Sequence, residues 1–381
     1  MDTRRLTYRT VGDAPTARRL PDVLRDNLLL FLALALLLGV TAIHPERMTA
    51  YPRFVDWRAM VTLTGLLILT TGLRESGLFR RLSQALLAHV GREDTLALLL
   101  VVTAAGFSMV LTNDITLFIV VPLTLAVEEV SGREMTKTVV FEALAVNAGS
   151  SLTPIGNPQN IFLWHRWGIT FTAFVGDMLP LAAVSLVLLL LLTSLSFGRE
   201  RVRLNHLTSP RPVDRRLALV SSLGLVGYLA AVETHRALYA LPLVLAAYLL
   251  LFRPTLRRVD WPLLALFLVL FIDSHLLAEI PFVRAALFPW TDGSTAGLYL
   301  LGIGLSQAVS NVPAALLLAH FSHDWRTIAY AVNVGGNGLV IGSLANLIAL
   351  RMTGRRRAWG LFHRYSLPYL LLLATAAYAL V

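Results

Sequence analysis

Apolar residues run along this chain in stretches long enough to cross a bilayer, about 20 residues each, and the polar positions gather between them. The clearest stretches are 27–43, 57–73, 178–197, 217–232 and 365–381. Taken in order, the runs predict an all-α polytopic membrane protein with nine crossings. Two further segments, 95–127 and 295–321, carry polar residues at their centres, Thr112-Asn113-Asp114 and Ser310-Asn311-Val312. These read as paired half-helices that enter and leave on one side, since irregular backbone is tolerated at membrane depth only where protein or a water-filled cavity surrounds it.

The arginines test this topology. With the N-terminus in the cytoplasm, the cytoplasmic segments are 1–26, 74–94, 128–137, 198–216, 253–260 and 351–364, and they hold 26 of the 33 Lys and Arg residues. The other seven fall outside, the split that the positive-inside rule expects. Counting either 95–127 or 295–321 as one crossing would send arginine-rich loops to the wrong side. The C-terminus is then expected outside. The basic tail 1–26 is followed by an apolar run without a small-x-small cleavage site, so it reads as a retained first helix that also targets the chain.

Composition sharpens the class. The chain of 381 residues is 56% hydrophobic and 15% charged, far less charged than a soluble domain. A net charge of +10 on a soluble protein would suggest nucleic acid, but no basic helix or aromatic-interleaved patch is present and none is expected as a partner. The absence of cysteine excludes disulfides, iron–sulfur clusters and thiolate zinc sites.

The sequence repeats itself. Ala145-Val146-Asn147-Ala148-Gly149 recurs 186 positions later as Ala331-Val332-Asn333-Val334-Gly335, and the same offset aligns Ile155, Gly156 and Asn160 with Ile341, Gly342 and Asn346. Gly106-Phe107-Ser108 and Thr112-Asn113 return as Gly304-Leu305-Ser306 and Ser310-Asn311, and Val55-Asp56-Trp57 as Val259-Asp260-Trp261. Five crossings separate equivalent points, so the halves face opposite ways, an arrangement that places transporter sites near the midplane. The expected domains are the tail 1–26; repeat 1, 27–197, with hairpin 95–127 and broken helix 138–167; a cytoplasmic loop and linking helix, 198–235; and repeat 2, 236–381, with hairpin 295–321 and broken helix 327–350.

Candidate chemistry concentrates at the hairpin tips and the helix breaks. Two prolines and two glycines within 149–158 cannot sustain a regular helix, and the break is crowded with Asn147, Ser150, Ser151, Thr153, Pro154, Gly156, Asn157, Gln159 and Asn160. Its counterpart supplies Asn333, Gly336, Asn337, Gly342, Ser343 and Asn346. Free N–H groups at half-helix starts suit anions, and carbonyl and amide oxygens suit Na⁺. Close packing by small residues is the alternative reading of these segments. Thr112, Asn113, Asp114, Ser310 and Asn311 complete the set, with Na⁺ expected near Asn113, Asp114 and Asn311. Asp114 matters because a carboxylate at membrane depth is costly; it could bind Na⁺, carry a proton or cap a half-helix. Glu142 reads as loop-facing, Asp273 and His275 as solvated groups at the outer end of a helix, and His165, Arg166 and Trp167 as an interfacial anchor.

The stretch from Leu111-Thr112-Asn113-Asp114 through Pro122 to Phe141–Asn160, with Ser310-Asn311-Val312-Pro313 and Gly342-Ser343-Leu344-Ala345-Asn346, resembles the ion transporter superfamily. That group holds the arsenite, citrate, Na⁺/H⁺ and divalent anion/Na⁺ transporters. The likeness, from about residue 21 to the C-terminus, is strongest to the bacterial inner-membrane YbiR-type anion transporters. It implies a dimerising scaffold and a transport unit, built from both hairpins and both broken helices, that moves in an elevator-like shift. In the dicarboxylate branch each tip carries Ser-Asn-Thr; here Asp114 replaces a hydroxyl, a pairing closer to the arsenite and Na⁺/H⁺ branches.

The leading expectation is therefore a secondary active transporter of a small anion, with Na⁺ or H⁺ as coupling ion and no other cofactor. No Gly-x4-Gly-Lys-Ser/Thr loop is present to use ATP. Na⁺/H⁺ exchange or arsenite efflux is the alternative, and a passive channel or an intramembrane aspartyl enzyme using Asp114 and Asp273 stands further off.

Overall fold

In the computed structural model, residues 27–87, 91–201, 212–291 and 293–381 are described; the tail 1–26 and most of the loop expected to follow residue 198 lie outside them. Among the described residues the chain is helical, without strands beyond an isolated bridge between Arg92 and Arg201. The first half contains α1 (Leu28–Ile43), α2 (Trp57–Glu75), α3 (Leu78–Leu87), α4 (Glu93–Ser108), α5 (Asn113–Ser131), α6 (Thr136–Ser150), α7 (Pro158–Trp167) and α8 (Phe171–Ser196). Then follow α9 (Arg215–Glu233), α10 (Ala237–Leu251), α11 (Trp261–Glu279), α12 (Pro281–Thr291), α13 (Thr295–Val309), α14 (Asn311–Leu318), α15 (Trp325–Gly335), α16 (Leu344–Met352) and α17 (Arg357–Tyr378).

Three of these helices, α8, α9 and α11, are long and apolar enough to cross a membrane alone, and α1 with its bent continuation makes a fourth. Of the remaining crossings of the expected topology, α2, α10 and α17 are continuous but shorter or less apolar, and two are broken into the pairs α6/α7 and α15/α16. Thr112 ends the turn between α4 and α5, Ser310 alone separates α13 from α14, and residues 151–157 and 336–343 separate α6 from α7 and α15 from α16. The first break ends where the Asn157 side chain accepts from the Asn160 N–H (2.9 Å) with Pro158 behind it, an N-cap followed by the residue best suited to a helix start.

Local bonds recur at the repeat offsets. Asp56 accepts from Ala59 N–H (3.0 Å) as Asp260 does from Leu263 N–H (3.1 Å). The Trp57 indole donates to the Pro52 carbonyl (2.8 Å) as that of Trp261 does to Leu256 (2.9 Å). Helix α4 packs closely on α6 and α13 on α15, and in each pair a glycine permits the approach. A Cβ on Gly149 would stand 2.1 Å from the Ala105 carbonyl oxygen, and one on Gly335 2.6 Å from Ser306 Cβ.

Helix α2 is held by α9 and α10, whose Tyr228 and Tyr248 lie over Gly65 and Gly72. Helix α11 carries α1 on its outer side and touches α14. Where the arginine-rich loops gather, Arg355 donates to both carboxylate oxygens of Glu128 and to Thr136 Oγ1 (2.8 Å), tying the end of α5 to the turn after α16. That guanidinium holds the Glu128 carboxyl below its usual range. The pair therefore contributes stability above the ordinary carboxylate pKa and loses it as the pH falls through the lowered value.

Candidate functional site

Four helices begin at one place. A narrow cleft is lined by Asn113 and Asp114 at the start of α5, Pro158 and Gln159 at the start of α7, Asn311 and Val312 at the start of α14, and Ser343 and Leu344 at the start of α16. Each start leaves N–H groups without intrahelical partners and carries the positive end of a helix dipole. The hairpin tips and helix breaks, far apart in sequence, thus meet around one small volume.

The tips are anchored from behind. Asn113 N–H donates to the Gly156 carbonyl (3.0 Å), and the Thr153 hydroxyl donates to that of Met109 (2.7 Å), so the first tip is fastened to the first break. At the second tip, Asn311 Nδ2 lies 3.0 Å from where a Cβ on Gly336 would stand, so a side chain there would crowd Asn311. Gln307, not singled out in the sequence, fastens that tip: its amide donates to the Gly335 carbonyl (2.5 Å) and accepts from Leu339 N–H (2.7 Å). Its position matches Met109, whose main chain does the equivalent work, so residue identity gave no signal.

The tips differ in backbone strain. Ser310 has φ +77° and ψ 155°, a region that favours glycine, whereas Thr112 is ordinarily extended. Ser310→Gly should therefore raise unfolding free energy by about 1 kcal/mol, while Ser310→Ala should not. Thermal unfolding in detergent compares the two; equal stabilities would mean that the position stores no strain.

The candidate residues divide into two groups that share Ser343. Asn113, Asp114, Gln159, Asn311 and Ser343 face the cleft, and Asp114 Oδ1 and Gln159 Oε1 are buried without a partner. Thr112 Oγ1, in the α5 cap, is likewise buried and unpartnered. Unclaimed oxygens of this kind suit a cation, alongside helix starts that suit an anion.

The second group is spent on itself. Asn147 Nδ2 donates to Asn346 Oδ1 (2.8 Å), and its counterpart Asn333 Nδ2 donates to Asn160 Oδ1 (2.8 Å). Asn157 Nδ2 donates to Asn333 Oδ1 (2.9 Å), and Ser343 at the equivalent place donates to Asn147 Oδ1 (3.1 Å). Asn160 reaches the Ser150 carbonyl (3.2 Å) as Asn346 reaches Gly336 (2.9 Å). Each of these six bonds has its mate 186 positions away, and four of the six cross between the halves. The hydroxyls of Ser150 and Ser151 bond to their own helix, and Asn337 Nδ2 bonds to the Asn333 carbonyl while its Oδ1 is buried without a partner. Pro154, Gly156, Gly336 and Gly342 contribute backbone shape.

Two sequence expectations are corrected. Glu142 does not face a loop: it is 0% exposed in α6, takes a hydrogen bond from Thr124, and its Oε2 has no partner. Asp273 is not solvated: it is 3% exposed, with both oxygens unpartnered. Glu142 lies on a helix buried along its length and Asp273 on the covered face of α11, and which face is covered is decided by neighbours far along the chain rather than by the local sequence. Asp273 and Asp114 line one cavity of about 570 Å³ beneath α1. His275 stacks on Phe54 and faces Glu279, and His165 is largely buried beside Trp164.

The chain is similar to known membrane proteins over most of its length. Residues 23–324 match the citrate transporter family. The chain is 42% identical to the inner membrane protein YbiR of Escherichia coli over 345 residues, covering 90% of this chain and 92% of that one. It is 31% identical over 330 residues to an uncharacterized transporter of Methanocaldococcus jannaschii, MJ0456, covering 85% and 88%. An uncharacterized transporter of Mycobacterium tuberculosis, Rv2684, is 27% identical over 80% of both chains.

Proposed function

The chain belongs to the citrate transporter family, and from that premise we propose that it is a secondary active transporter carrying a small anion, coupled to Na⁺ or H⁺. It is a multi-pass membrane transporter and not an enzyme. We place it in the bacterial inner membrane with a cytoplasmic N-terminus and a C-terminus outside, in keeping with the arginine distribution.

One observation carries the anion reading: four helix N-termini converge on the cleft, and oriented N–H groups and dipoles favour negative charge there. Asn113 and Asn311 are the side chains proposed to hold the substrate, with Asp114 beside the coupling ion. Helices α4/α5 and α13/α14 are read as re-entrant hairpins in oppositely facing repeats. The amide network joining the two breaks supports treating them as one unit that moves against α2, α9 and α10 in an elevator-like shift, with the chain acting as a dimer.

The test is flux into proteoliposomes with sulfate, phosphate, di- and tricarboxylates or arsenite presented singly, with and without Na⁺ and a pH gradient. Saturable, Na⁺- or pH-dependent uptake of one anion is expected, reduced at least tenfold by the Asn113→Ala, Asn311→Ala pair. Undiminished transport by that pair would remove the cleft from the mechanism. The unpartnered Asp114 oxygen favours a second reading, cation/proton exchange, which predicts ion movement with no anion present.

A further inference from the structure

The cavity beneath α1 follows a single face of α11. Asp260, Leu263, Leu266, Leu270, Asp273 and Leu277 line it at helical spacing. From Asp260 to Leu277 this face rises about 26 Å, close to the thickness of a bilayer's hydrocarbon core. The cleft shares Asp114, Leu263, Leu266, Ser343 and Leu344 with this cavity and reaches Phe267 on α11, so Asp273 stands about one and a half turns or more further along the same wall.

Asp273 is almost wholly buried, and neither of its oxygens has a hydrogen-bond partner. The adjacent Ser274 hydroxyl, also on the cavity wall, is committed to the Phe271 carbonyl at 3.0 Å. A hard cation needs a shell of several oxygens, and the leucines around Asp273 provide none. A proton needs only the carboxylate, and an isolated carboxylate at membrane depth is otherwise costly. We infer that Asp273 is a proton-binding site in this cavity, separate from the helix-start cleft, taking up a proton as a carboxylic acid and releasing it when the cavity changes its exposure.

The surrounding charges leave Asp273 to itself. Helices α1 and α14 carry no ionisable side chain, α5 presents Asp114, and Arg351 at the end of α16 reaches the same cavity. Helix α2 carries Arg58, Arg74 and Glu75 in its terminal turns, and α7 carries His165 and Arg166 in its last turn. Arg284 on α12, Tyr51 and Arg53 on the short helix Tyr51–Phe54, and His320 just beyond α14, whose ring meets that of His275, are further neighbours, and Asp260 lines the opposite end of the cavity. On α11 itself, Glu279 is engaged by Arg47 and His275. No hydrogen bond links any of these groups to Asp273.

The role in coupling rests on the transport reading above; the protonation of Asp273 does not. Dicyclohexylcarbodiimide, which enters apolar cavities and reacts with protonated carboxyls, tests it on the reconstituted full chain, with adducts mapped by mass spectrometry. An adduct at Asp273 is expected to increase several-fold on acidification, to ignore added Na⁺, and to vanish in Asp273→Asn while an Asp114 adduct is scored separately. No Asp273 adduct at any pH would overturn the inference, and so would suppression by Na⁺ alone, which would make it a cation site. In transport, Asp273→Asn should flatten the pH dependence and Asp273→Glu should retain it. Labelling without any anion-dependent flux would sink the transport reading and leave the proton site standing. Flux without labelling would do the reverse.

Discussion

Asn333→Ala should destabilise the folded protein by about 3 kcal/mol, measured as unfolding free energy in mixed micelles. The side chain makes three hydrogen bonds: to Asn160 Oδ1, to the Ala329 carbonyl, and from Asn157 Nδ2. Interhelical hydrogen bonds in membrane bundles are worth about 0.6 kcal/mol on average. Leaving buried partners unsatisfied costs about 1–3 kcal/mol each, and that larger effect should dominate here. Asn160 Oδ1 loses a partner in a residue 0% exposed, where water does not replace it, while Asn157 Nδ2 keeps its longer bonds to Ser150. The matching bonds made by Asn147, to Asn346 Oδ1 and from Ser343 Oγ, predict a comparable loss for Asn147→Ala. A loss confined to one of the two variants would show that the paired bonds do not share one structural role. A double-mutant cycle between Asn333 and Asn160 should return a coupling of at least about 0.5 kcal/mol, as contacting residues do.

The same network explains how much of the site was legible in the sequence. The repeat of Asn147 in Asn333 and of Asn160 in Asn346 marked the breaks, because proline and glycine forbid a helix there and amides accumulate beside them. Sequence could not divide those amides between ligand and protein. Asn147 and Asn113 look alike in one dimension, yet one is held by the opposite half and the other lines the cleft. That division depends on contacts between residues nearly 200 positions apart. The convergence of four helix starts was hidden for the same reason, since each is an ordinary cap on its own. Asp273 was misplaced because position along an apolar run indicates depth but not which face is covered. Helices α1 and α14 cover that face, and neither is adjacent to it in sequence.

Asp114→Asn is the substitution that separates the two transport readings. Its carboxylate sits among helix starts where an anion is proposed to bind, so without a compensating cation it repels the substrate. At a separation of about 5 Å and an effective dielectric of about 20, that repulsion is about 3 kcal/mol, roughly a hundredfold in affinity. A cation bound at Asp114 cancels it, which is the physical basis for coupling in this cleft. Neutralising the side chain removes both the repulsion and the cation's foothold. The expected result is anion binding that survives or tightens up to about a hundredfold and no longer responds to the ion that Asp114 holds. Uphill accumulation driven by that ion's gradient should be lost with it. Binding by isothermal titration and accumulation in proteoliposomes measure the two effects separately. Should Asp114→Asn abolish anion binding as well, Asp114 would be a substrate ligand in its protonated form and this coupling scheme would fail. Should the wild type move Na⁺ or protons with no anion and the variant move none, the exchanger reading takes its place.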